Sequence, residues 1–185
     1  ITASDNRIYI TPAQRYKTMN KKDSIKSDML FLLIKIGILA ILLGVTFGFI
    51  FGISRCNDNS MSPAFKDGDL AFYYRMQKEY NIADVVVIEK DNELQIRRII
   101  AKAGDKVEIT EEGLKINGYL QKETNIYEET LPYVEGISFP IEVPENEYFV
   151  LGDSRSNAKD SRIYGTVKKE EIKGGVMTLI RRRGL

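Results

Sequence analysis

Asp84-Val85-Val86-Val87-Ile88-Glu89-Lys90-Asp91-Asn92-Glu93-Leu94-Gln95-Ile96-Arg97-Arg98-Ile99-Ile100 is the stretch that decides the fold class. Two β-branched runs, Asp84 to Glu89 and Leu94 to Ile100, flank four residues of hairpin composition. The same texture continues downstream. Lys106 to Thr110 and Leu114 to Ile116 are short strand-like runs, the second ending at Asn117-Gly118, a dipeptide suited to a tight turn. Tyr148 to Leu151 stops at Gly152-Asp153, and Gly175 to Ile180 forms a last apolar run. No long amphipathic helical period interrupts them; Lys168 to Glu171 reads as one helical turn and Glu123 to Pro140 as an insertion loop. Residues 54–185 are therefore expected to form one mostly β domain.

Upstream the chain changes character. Ile36 to Ile53 reads IGILAILLGVTFGFIFGI without a charge, and Met29 to Ile34 extends the run backwards across Lys35. Such a run has the length and composition of a membrane span, with Lys35 near one end able to snorkel. We expect a cytoplasmic tail over 1–28, flexible and polar, a transmembrane anchor over 29–53, and an extracytoplasmic domain over 54–185. Arg7, Arg15, Lys17, Lys21, Lys22 and Lys26 precede the span, and only Arg55 closely follows it. The positive-inside rule then leaves the N-terminus inside. Phe65 and Leu70 to Tyr74, rich in aromatic residues, suit a domain resting against the lipid bilayer. Cys56, beside the span, reads as an inert thiol or a lipidation site.

Composition narrows the chemistry. Lys and Arg number 27 against 26 Asp and Glu, so the net charge of +1 gives no basic excess that would indicate nucleic acid. With no His, catalysis by Ser-His-Asp or Cys-His and the usual zinc sites are excluded. A single Cys excludes an internal disulfide framework. Hydrolysis would have to use Ser, Thr, Lys, paired carboxylates or a metal held by oxygen ligands alone.

Three segments stand out against that background. Asn59-Ser60-Met61-Ser62-Pro63-Ala64 offers Ser60 as a turn residue or a nucleophile. Gln95-Ile96-Arg97-Arg98-Ile99, leading to Ala103-Gly104-Asp105, puts adjacent cations on opposite faces of a strand. Gly152-Asp153-Ser154-Arg155-Ser156-Asn157-Ala158-Lys159-Asp160-Ser161-Arg162 is either a solvated loop or a buried network of ion pairs. In this order behind one anchor, and with Gly68-Asp69-Leu70 between the first two, these segments resemble the boxes of the bacterial type I signal peptidases. The resemblance covers about Met29 to Leu185.

The resemblance implies a signal-peptidase-like β-fold and a membrane Ser/Lys endopeptidase that removes signal peptides from exported preproteins, without cofactor or metal. Ser60 would be the nucleophile, Met61 and Pro63 would contact an extended substrate strand, and Arg98, Asp153, Asp160 and Arg162 would form structural ion pairs. The family's general base is a Lys, kept neutral by apolar surroundings, at the position that Arg97 holds here. A guanidinium has no free lone pair to accept the Ser60 proton at neutral pH. Ala158 replaces a hydroxyl that orients the Lys, and Asp58 stands where an oxyanion-side hydroxyl is expected, placing a carboxylate against developing negative charge. Lys159 and Lys102 are the amines considered as substitutes. Two functions follow: a type I signal peptidase of the bacterial membrane, or a non-cleaving accessory protein that grips extended pilin segments during pilus assembly in Gram-positive bacteria. The partners are accordingly preprotein signal peptides or pilin segments and the bilayer.

Overall fold

A computed structural model of the chain describes residues 12–123 and 126–181, with side chains from residue 25 onward. The chain divides into two compact units, Ile1–Phe47 and Gly48–Leu185.

Helix α1 (Pro12–Ile50) begins at a proline, whose fixed φ suits a first helical turn, and no further proline interrupts it. Residues 12–28, expected as a flexible tail, are therefore helical; residues 1–11 of that tail lie outside the described residues. Ala13, Gln14, Arg15, Lys17, Lys21 and Lys22 are good helix formers, which the polarity of this segment conceals. The apolar part, Ile25–Ile50, has a mean hydropathy of 2.6. Its 26 residues make it long and apolar enough to cross a membrane. The helix stops three residues short of Ile53, because Phe51-Gly52-Ile53 enter strand β1 (Phe51–Arg55). Gly52 permits this: a Cβ there would lie 2.2 Å from the Tyr73 ring.

The second unit is mostly β, as expected. Its strands are β2 (Leu70–Tyr74), β3 (Val85–Lys90), β4 (Glu93–Lys102), β5 (Lys106–Thr110), β6 (Gly113–Ile116), β7 (Tyr119–Leu120), β8 (Ile141–Glu142), β9 (Glu147–Leu151), β10 (Val167–Lys168) and β11 (Ile172–Ile180). A short helix, α2 (Ser161–Tyr164), lies between β9 and β10. One sheet has the order β1-β2-β11-β3-β4-β9-β10 and the other β7-β6-β5-β8. Neighbouring strands in both run antiparallel. Asp91 and Asn92 both take positive φ, 54° and 63°, and so close the β3–β4 hairpin with the two-residue turn that matches strand twist. Asn117 and Gly118 do the same between β6 and β7.

The uniform Val85-Val86-Val87-Ile88 run has a physical reason. Val86 and Ile88 join one core cluster with Tyr80, Ile99, Tyr148 and Val150, while Val87 points to another with Cys56, Met61, Phe65, Ala71, Tyr73 and Ile96. A third cluster joins Phe149 and Leu151 of β9 to Val107, Ile109, Leu114 and Ile116 of the smaller sheet. Phe65, Ala71 and Tyr73, read as lipid-facing from sequence, are therefore core residues. Strand β4 is only half paired on the β9 side. Its partners there begin at Arg98, opposite Leu151, and Glu93–Arg97 have no strand neighbour on that edge among the described residues.

Candidate active site

Ser60 sits in a turn held by short-range backbone bonds, Ser62 N to the Asn59 carbonyl (3.0 Å) and Phe65 N to the Met61 carbonyl (2.8 Å). Met61 and Phe65 anchor the turn in the core, which leaves Ser60 with 1% of its surface exposed. Its own carbonyl accepts from Ser154 N at 2.9 Å, joining the first box to the third. Gly152 allows that approach, since a Cβ there would fall 2.6 Å from the Ser60 carbonyl oxygen and 2.3 Å from Ala158 Cβ.

Two groups converge on the Ser60 hydroxyl. Arg97 Nη1 donates to Oγ at 2.8 Å, and Oγ donates to Asp58 Oδ1 at 2.6 Å. The same carboxylate oxygen accepts from Ser60 N at 3.0 Å. Arg97 is buried and fully engaged: Nε and Nη2 donate to the Lys159 carbonyl at 3.0 and 2.8 Å, and Nη1 also donates to the Ile96 carbonyl at 2.6 Å. Among the described residues, the guanidinium is compensated by carbonyl dipoles and a hydroxyl, without a direct carboxylate partner.

Arg98 leaves the other face of the strand and pairs bidentately with Asp153, Nε to Oδ1 at 2.8 Å and Nη2 to Oδ2 at 2.6 Å. The Asp153 bonds hold its guanidinium charged even more firmly than usual. Asp160 and Arg162 form a second, fully enclosed pair, and Asp160 also accepts from Gly152 N and caps α2 through Arg162 N. Ala158 is buried against this network and brings no hydroxyl to the site.

Among the described residues, none of the remaining candidates hydrogen-bonds the Ser60 hydroxyl. Met61, expected to line the substrate groove, is fully buried, and Pro63 is exposed; neither lines the cavity described below. Lys159 turns its amine outward to Asp91 (2.9 Å), and only its carbonyl faces Arg97. Lys102, exposed at the far end of β4, borders a different cavity with Tyr148 and Lys169. Cys56 is buried, its Sγ donating to the Asp58 carbonyl at 3.2 Å, and burial pushes its thiol up.

Sequence reading missed the insertion loop's part in the site. Glu123 pairs with the buried Arg155, Thr130 Oγ1 accepts from Arg155 Nε at 2.9 Å, and Glu128 holds Ser156 N at 2.7 Å. The Tyr133 hydroxyl lies 3.1 and 3.0 Å from the carbonyls of Arg155 and Ala158, and Arg162 stacks over its ring at 4.4 Å. The signal lay in Arg155: a cation in a box of turn formers calls for a carboxylate, and the loop supplies one.

A cavity of about 670 Å³ opens beside these groups, lined by Ile53 to Asp58, by Asn92 to Arg97 along the half-paired part of β4, and by Lys159. Asp58 and Arg97 form its wall, with Ser60 directly behind them. Among the described residues no cluster of three or more Asp, Glu or Cys side chains is arranged to hold a metal ion.

Comparison with known proteins agrees on one family. The model of the family described as signal peptidase, peptidase S26, matches residues 28–180. Signal peptidase I of Bacillus licheniformis is 32% identical over 171 residues, covering 85% of this chain and 89% of the relative. Signal peptidase I S of Bacillus subtilis (strain 168) is 32% identical over 137 residues, covering 68% and 74%. Signal peptidase IB of Staphylococcus aureus (strain Mu50) is 28% identical over 172 residues, covering 82% and 88%. Among solved structures, a signal peptidase I from Enterococcus faecalis V583 shares 28% identity over 55% of this chain and 98% of its own, with a TM-score of 0.45.

Proposed function

We propose, for a chain that belongs to the signal peptidase family, peptidase S26, a serine endopeptidase that removes signal peptides with Ser60 as nucleophile and Arg97 in place of the family's base. Its relatives support signal-peptide removal as the class of activity. One observation carries the assignment to this site: the unpaired edge of Glu93–Arg97 borders the 670 Å³ cavity and ends where Arg97 holds Ser60. An extended segment added to that edge gains main-chain hydrogen bonds whatever its sequence, as preproteins of differing sequence require. The basic residues before the apolar helix support an N-terminus inside the cell and a domain on the outer membrane face.

The test is direct. The detergent-solubilised full chain, incubated with a preprotein, yields a processed product slowly, and Ser60→Ala yields none; equal processing by Ser60→Ala overturns the assignment.

A second reading is favoured by the Arg97 hydrogen bonds. With Nε, Nη1 and Nη2 all committed, the guanidinium acts as a fixed strut. That suits a protein that grips pilin segments without cutting them. Under this reading the wild-type chain retains a bound segment and gives no product.

A further inference from the structure

From the geometry around Ser60, we infer that Asp58 is the general base of this site, taking the role that a lysine amine has elsewhere in the family. The inference rests on the proposed peptidase reading and names the group that makes it chemically possible. Among the described residues, Ser60 Oγ has one hydrogen-bond acceptor in reach, Asp58 Oδ1 at 2.6 Å, and one cationic donor, Arg97 Nη1 at 2.8 Å. A carboxylate on the O–H and a guanidinium on the oxygen polarise the bond in the same direction. Neither candidate amine competes: Lys159 is bound outward to Asp91, and Lys102 lines another cavity.

The step balances without a co-reactant. As Ser60 Oγ bonds to the scissile carbonyl carbon, its proton passes to Asp58 Oδ1 and the carbonyl π pair moves to oxygen. That proton transfer also removes the charge from the oxygen that held Ser60 N at 3.0 Å, so the N–H is released toward the new oxyanion. Collapse breaks the C–N bond, and the protonated Asp58 returns its proton to the departing amine. Water then attacks the acyl-Ser60 ester, giving its proton to Asp58 and restoring the hydroxyl. Asp58 thus changes from occupant of the oxyanion donor to acid in a single transfer, and a fixed Arg97 supplies positive charge throughout.

The base identity sets the pH profile. The groups around Asp58 are Arg97 of β4, the Cys56 thiol, and Arg55, Glu93 and Lys159 in the cavity lining. Burial keeps Cys56 protonated at neutral pH. An amine base gives a rate that still climbs to about pH 8 as its ammonium loses a proton, and the absence of that climb is the result expected here.

The experiment uses the full chain in detergent micelles and a fluorescent synthetic peptide spanning an alanine-rich cleavage junction. It reads peptide anisotropy, product formation, and the mass of Ser60 after reaction with p-nitrophenyl acetate. Asp58→Asn is expected to lower Ser60 acylation and cleavage about 10²–10⁴-fold with peptide affinity within about threefold. Asp58→Glu, which keeps the carboxylate, recovers part of the rate. The wild-type pH profile tests the base without any substitution. Undiminished or faster acylation in Asp58→Asn, a rate rising through pH 8, or a wild-type Ser60 that never acylates overturns the inference. Loss of peptide binding by the wild type instead refutes the peptidase reading itself.

Discussion

Replacing Asp160 by Ala tests whether the third box is a structural lock. The carboxylate is fully buried and accepts four hydrogen bonds: from Arg162 Nε (2.9 Å), Nη2 (2.8 Å) and N (3.1 Å), and from Gly152 N (3.1 Å). Removing it leaves the Arg162 guanidinium, 2% exposed, with the Leu131 and Arg155 carbonyls and the Tyr133 ring and hydroxyl as its remaining partners among the described residues. Breaking one side of a buried pair costs about 3–5 kcal/mol, and an orphaned buried N–H such as that of Gly152 adds about 1 kcal/mol or more. Lost capping of α2 overlaps with these and is not added separately. The expected total is about 4–6 kcal/mol, which lowers Tm by about 12–24 °C for a domain of this size. Near-ultraviolet circular dichroism of the full chain in micelles, read against temperature, measures it. The double variant Asp160→Leu, Arg162→Met removes both charges and is expected to recover at least half of the loss. An Asp160→Ala protein within about 1 kcal/mol of wild type, or a double variant as unstable as the single one, would refute the reasoning.

Three further outcomes follow from individual residues. Gly152→Ala forces its Cβ onto the Ser60 carbonyl and Ala158 Cβ, and is expected to abolish cleavage and lower Tm, measured on the same protein; wild-type behaviour would exclude that crowding. Cys56 is expected to resist Ellman's reagent at pH 8 in the native state and to react within minutes in denaturant, because burial both shields the thiol and disfavours the thiolate. Burial pushes the Tyr80 phenol up to about 12, so its protonated form is favoured in the fold; this contribution is intact below about pH 10 and lost as pH rises toward 12. Tyr80→Phe should therefore flatten the decline of Tm with alkaline pH, and an unchanged slope would assign that decline to other groups.

The fold was legible where local chemistry acted alone. The hairpin at Asp91-Asn92 and the turn at Asn117-Gly118 follow from residues that tolerate positive φ, and the strands around them from β-branched runs. Strands β1 and β2 were not legible, since Phe51 to Arg55 continues an apolar span and Leu70 to Tyr74 looks like an aromatic surface. What makes them strands is pairing with each other and with β11, a long-range effect. Arg98 and Asp153 were both singled out, yet their fork geometry required the folded strands. The burial of Met61 was hidden too, because the residues that enclose it, Val87 and Ile96 among them, are distant in sequence. For Asp58 sequence supplied the position and the sign of its charge; the fold of the turn is what brings its acceptor oxygen to the Ser60 hydroxyl.

The half-paired strand β4 has a further consequence. A guest chain sliding along Glu93–Arg97 meets the end of β9 at Arg98, where Leu151 already occupies the pairing position. Those five residues amount to about 17 Å at 3.3–3.4 Å each, so the open berth is short and closed at one end. The sheet acts as an end stop. For an extended guest paired to that edge, as proposed above, the bond that comes to rest beside Arg97 would be fixed by where the berth runs out, so that a register could be measured without the guest's sequence being read.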